Sequence, residues 1–139
     1  MREKQIYYTP EKQINLLEFW EYYASVEIAV KLKPDEFIKN AHIRNETING
    51  IKGLAKIIIK RGEELLKKRG VNNDIELSVS LVSLKVISGS VSDELSELLT
   101  LVRNIDNLDL LIVYSNLVRF IEVFEEVYLA IEDALTESK

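Results

Sequence analysis

The sequence predicts an all-α protein, a compact bundle of five or six helices in one domain over residues 1–139. Three observations lead there. Five glycines and two prolines in 139 residues are few, so long uninterrupted elements are expected. Five segments repeat apolar residues at steps of three and four, the helical period. In the last of them, Leu110, Val113, Leu117, Phe120, Phe124, Val127, Ile131 and Ala134 make an unbroken heptad-type seam. A chain of this length buries roughly 68–70% of its unfolded surface in one core. Hydrophobic residues at 47% and charged residues at 29% place it among folded proteins rather than disordered ones.

Residues 1–8 read as a short arm. Thr9 suits an N-cap, Pro10 the first helical position and Glu11 the positive helix end. The first helix should run from 10 to about 32. Its apolar residues Ile14, Leu16, Leu17, Phe19, Trp20, Tyr23, Val26 and Val30 spread so widely that burial on more than one side is expected. Lys33-Pro34-Asp35 breaks it and opens a short helix over 34–45.

A basic helix follows. Ile48, Ile51, Ala55, Ile58, Gly62 and Leu65 form one apolar stripe, with Lys52, Lys56, Lys60 and Lys67 on the other side. Gly70 stops it after Lys67, Lys68 and Arg69, cations suited to the negative helix end. Residues 75–88 alternate like a strand at Ile75, Leu77, Val79 and Leu81, but a strand needs a partner. Only Ile6 to Tyr8 offers one, so 75–88 is expected to be helical. Ser90 or Ser92 should cap a helix over about 92–104. The outer face of the final helix should carry Arg119, Glu122, Glu125, Glu126, Glu132 and Asp133.

Charge is divided unevenly. Residues 46–69 hold seven basic side chains against three acidic ones, and residues 71–139 hold four against thirteen. The net charge of −5 therefore hides one basic helix beside an acidic remainder. Such a stripe attracts a polyanion or an acidic protein surface, and a polarised molecule also attracts its own copies. Lysine-rich helical faces are also commonly just solvated, so both readings stand. The candidate nucleic-acid contacts are Lys52, Lys56, Lys60, Arg61 and Lys67, flanked by Lys39 and Arg44.

Signals for chemistry are weak. Without cysteine there are no disulfides, thiolate nucleophiles or cysteine-ligated zinc. One histidine, His42, cannot supply the two Glu-x-x-His pairs of a di-iron bundle. His42 stands four residues before Glu46, a spacing for an ion pair on a continuous helix. No serine lies in a strand–turn–helix elbow. The chain is therefore expected to be neither an enzyme nor a cofactor or metal binder. Gly50-Ile51-Lys52-Gly53 matches the Gly-x-x-Gly loop of KH domains, but that fold needs a three-stranded sheet. The alternative is that these glycines let a neighbouring helix, or a phosphate backbone, approach closely. The amino terminus lacks a signal peptide's apolar core, and no apolar run is long enough to span a membrane, so a soluble cytoplasmic protein is expected. Abundant Ile, Lys and Glu without Cys leans toward a thermophile.

The layout resembles the small subunit of type III CRISPR effector complexes, the Csm and Cmr small-subunit family. Thr47-Ile48-Asn49-Gly50-Ile51-Lys52 is similar to the Thr-rich opening of that family's mid-chain helix, with Lys52 where the family has Arg. Phe124-Glu125-Glu126-Val127 is similar to its final-helix Phe-Glu-Ala-aliphatic segment. The order of elements matches over residues 34–135. The family's second Thr/Ser is Ile48 here, and its late Tyr-His is replaced by Ala130-Ile131. The likeness extends equally to other small helical subunits, including that of archaeal type I-A complexes. The resemblance implies a non-enzymatic antiviral-defence subunit that stacks in a filament, contacts other effector subunits and holds guide or target RNA. The competing expectation is a helical adaptor or dimerisation protein whose C-terminal heptad helix binds a partner protein.

Overall fold

The computed structural model describes residues 10–72 and 76–137, with residues 10–13 described by their backbone alone. Expectations for the arm, for Thr9 and for a strand at Ile6 to Tyr8 fall outside this range. Among the described residues there are seven α-helices, one 3-10 turn and no strand. They are α1 (Pro10–Val30), α2 (Pro34–Lys39), α3 (Ala41–Lys68), α4 (Leu77–Ser83), α5 (Gly89–Arg103), α6 (Leu110–Ser115) and α7 (Leu117–Glu137), with the 3-10 turn Ile105–Asn107 between α5 and α6.

The helix count exceeds the expected five or six because Asn116 divides the C-terminal segment in two, while Asn40 moves the boundary between two expected helices. Asn40 adopts an extended conformation, and its side chain accepts the Ile43 N–H at 3.0 Å. The expected 34–45 helix is therefore cut short, and α3 begins early. Asn116 splits the C-terminal seam by turning its side-chain amide back onto the Ile112 carbonyl at 2.8 Å. The cap of α5 is Ser88, which accepts the Val91 N–H. Ser92 lies inside that helix and donates instead to the Ser78 carbonyl across the α4 contact. Of the helix expected over 75–88, residues 77–83 are helical, whereas 84–87 form turn and bend around the left-handed Lys85, which ends it, and Ile75 lies outside the described residues. At the start of α2, the Glu36 carboxylate accepts the Lys33 N–H at 2.8 Å and closes the first turn.

The core lies where α3 and α7 run through the middle of the bundle. α1 packs along both, and α5 covers α7 from another side. α2 bridges α3 and α6, while α4 lies on α3 and α5. Phe19 of α1 stacks on Tyr128 of α7 with ring centroids 4.2 Å apart. Phe120 and Phe124 meet at 5.6 Å, and Ile51, Leu54, Ile58 and Leu65 of α3 are buried in the same core. No helix among the described residues is long and apolar enough to cross a membrane.

The glycines of α3 are packing positions. A Cβ on Gly50 would lie 2.9 Å from the Tyr22 carbonyl oxygen, and one on Gly53 would lie 2.5 Å from the Tyr22 ring. The Gly-x-x-Gly pattern thus sits mid-helix and admits α1.

α3 and α4 end in the same way. Gly70 follows α3 with φ +67°, its N–H on Lys67 and the next N–H on Leu66. Lys85 follows α4 with φ +60°, its N–H on Val82 and the Val86 N–H on Leu81. Both are Schellman caps, and their left-handed residue favours glycine. Lys85→Gly should therefore stabilise the protein by about 1 kcal/mol, the usual cost of this conformation for an L-residue. A higher urea midpoint at unchanged slope checks this.

Candidate nucleic-acid interface

α3 is 28 residues long, about 42 Å at 1.5 Å per residue. Its buried flank is wider than one stripe. Leu54, Ile57, Arg61 and Leu65 face inward together with Ile51, Ala55, Ile58 and Gly62. What remains outside is a strip carrying Lys52, Lys56, Ile59, Lys60, Glu63 and Lys67. α1 borders it on one side, and the end of α5 on the other.

Two hollows lie along this strip. The first, about 390 Å³, is lined by Lys52, Ala55, Lys56, Ile59, Lys60 and Glu63, with Val102 of α5 as its far wall. The second, about 600 Å³, is lined by Lys60, Glu63, Glu64, Lys67, Val71 and Asn72. They share Lys60 and Glu63, so they adjoin as one open trough beside the basic side chains. Lys56, Lys60 and Lys67 are exposed along it. Lys60 also reaches the buried Asn15 side-chain oxygen at 3.4 Å. Lys52 is half-buried, and both Asp106 carboxylate oxygens accept from its ammonium at 2.9 Å. Lys52 is thus partly neutralised, though an exposed pair of this kind is weak and exchangeable.

Three expected contacts are placed elsewhere. Arg61 is buried, with its side chain 5% exposed, and cannot line the strip. Its Nε donates to Glu132 Oε2 at 2.7 Å and its Nη2 to Oε1 at 2.9 Å, while Nη1 donates to Glu64 at 2.8 Å. Glu132 correspondingly leaves the outer face expected of it, its side chain being 3% exposed. The periodicity held the signal: Arg61 falls in register with Leu54, Ile57 and Leu65, and Glu132 follows Phe124 and Tyr128 at steps of four. The Tyr128 hydroxyl is buried beside this pair; burial first, and then the Glu132 charge, raises its pKa well above the ordinary phenol value. Arg44 is half-buried and donates to the Ile38 carbonyl, which ties α3 to the end of α2. Lys39 is exposed on α2 and lines a separate hollow with Glu36, Asn40 and Ile43. Thus Lys56, Lys60 and Lys67 come together, Lys52 joins them through a weak pair, and Arg61, Arg44 and Lys39 do not.

Inspection of sequence alone did not show that Asp106 closes on Lys52, because 54 residues separate them. It also missed Ile59 and Val102 as an apolar floor for the strip. His42 and Glu46 are on one continuous helix, both exposed, with no ion pair between them. Among the described residues, no three His, Asp or Glu side chains converge as metal ligands would. Comparison with protein-family models, curated proteins and solved structures found no match to this chain.

Proposed function

We propose that the chain is a non-enzymatic RNA-binding subunit that holds a sugar–phosphate backbone along the outer strip of α3. The observation that carries the reading is the exposure of Lys56, Lys60 and Lys67 on one rigid helical face beside an open trough. Lys56 and Lys60 are one turn apart, about 6 Å, and Lys67 continues the row. Charges so placed contact successive phosphates without reading bases. Ile59 and Val102 supply an apolar floor that a sugar or base edge can cover. The setting we propose is a multi-subunit RNA-guided effector, as the resemblance to type III small subunits implies. There the acidic outer face of α7 would attract the basic strip of a neighbouring copy.

Burial of the C-terminal seam favours this reading over a helical adaptor. Leu117, Phe120, Phe124, Val127 and Ile131 of the C-terminal seam are each at most 1% exposed, because α7 spends that face on the core.

The test is the triple variant Lys56→Glu, Lys60→Glu, Lys67→Glu, titrated against single-stranded RNA by fluorescence anisotropy at several salt concentrations. Each lost phosphate contact lowers the slope of log affinity against log salt by about 0.7, so a drop of about two units is expected. Sequence preference should not change. The assembled complex should be measured beside the free chain, since repeated copies add avidity. If wild type and variant hold RNA equally well in both forms, the strip is only a solvated face.

A further inference from the structure

α1 carries a second apolar seam that no other helix among the described residues covers. Its inner face is spent on α3 and α7 through Phe19, Val26 and Ala29. On the opposite face, Ile14, Leu17, Glu21, Ala24 and Ile28 follow one another at steps of three, four, three and four. That is the spacing of a helix built to pack against another helix. Ile14 is 57% exposed, Leu17 67% and Ile28 56%, and Ala24 and Glu21 are exposed with them. Trp20, held edge-on by Phe19 and Tyr23, borders the seam at 36% exposure. Apolar residues of the helix fall on two sides, the pattern of one buried on both, yet the described residues bury one.

The charges on this face select the occupant. Glu21 stands at the centre of the seam, with Glu18 and Glu27 exposed on either flank. None of the three makes an ion pair among the described residues. Glu21 lies midway between Ile14 and Ile28, so two copies packed in register, parallel or antiparallel, bring Glu21 against Glu21. Like charges so opposed weigh against a second copy. Acidic flanks also disfavour an anionic membrane surface, which attracts helices with basic polar faces. The strip of α3 is cationic but offers a single exposed aliphatic, Ile59, so it does not match the four apolar seam positions.

The geometry points to a docking site on α1 for an amphipathic helix of another protein, one whose apolar seam carries a lysine or arginine opposite Glu21. This site is separate from the α3 strip and does not depend on RNA binding. Two synthetic peptides test it, each with leucines at four seam positions spaced three and four apart. One has lysine at the central position, the other glutamate. Trp20 is the only tryptophan in the chain and reports docking directly by a blue shift of its emission. The lysine peptide should give a saturable shift and bind about tenfold more tightly than the glutamate peptide. Glu21→Lys should reverse that preference, and Leu17→Glu should abolish the shift while circular dichroism stays unchanged. Equal affinity for both peptides, or no shift with either, overturns the proposal. So does self-association in sedimentation equilibrium that Leu17→Glu removes, which would assign the seam to a second copy. A Trp20 shift on vesicles of anionic phospholipid that matches the lysine peptide's would assign it to a lipid surface.

Discussion

Glu132→Ala should destabilise the protein by about 3–5 kcal/mol, the usual result of stranding one member of a buried ion pair. The Arg61 guanidinium would lose two charge-assisted hydrogen bonds at 2.7 and 2.9 Å while its contact with the half-buried Glu64 stays. Taking the pair out of water costs much of what its attraction returns, so the pair itself is worth far less than that loss. Arg61→Met combined with Glu132→Leu should therefore recover most of the stability lost in the single variant. Urea denaturation of the wild type, both single variants and the double variant closes the cycle. A double variant as unstable as the sum of the singles would show that shape, rather than charge, is what the site requires.

Phe120→Ala should cost a similar amount, about 3–5 kcal/mol, through lost burial and the cavity left behind. Phe120 is 1% exposed in the first turn of α7 and packs against Phe124. Val118, two residues earlier and 47% exposed, provides the internal control. Val118→Ala should fall within about 0.5 kcal/mol of wild type. Comparable losses at the two positions would mean that α7 is rotated about its axis from the orientation described.

These contrasts show what a one-dimensional reading captures. The C-terminal seam was legible because apolar periodicity over many turns has one physical outcome, burial of that face. The stripe of α3 was legible for the same reason, although its buried face proved broad enough to take in Arg61. That arginine was misplaced because a charge is ordinarily read as exposed. Its partner sits 71 residues away in the sequence, and neither residue signals the other except by standing alone on an apolar face. The breaks at Asn40 and Asn116 were missed because each depends on one side chain bonding to nearby backbone, a choice between nearly equal local conformations. The breadth of the apolar surface on α1 was read as two-sided burial. The monomer covers one of those sides, and a single chain's pattern does not tell an internal neighbour from an external one. Of the basic candidates, Lys56, Lys60 and Lys67 were legible by spacing alone, whereas the roles of Lys52 and Arg44 depend on where other elements end.

The stack of Phe19 on Tyr128 joins the first described helix to the last. Its consequence is temporal. A chain made from its amino terminus exposes Phe19, Leu54 and Ile58 until their cover from α7 emerges. At translation rates of about 5–20 residues per second, that interval is on the order of ten seconds, far longer than a helical domain needs to fold. Completion of the core in the cell thus waits on the emergence of α7 from the ribosome. Premature termination anywhere before α7 yields a chain with half a core and an exposed apolar surface.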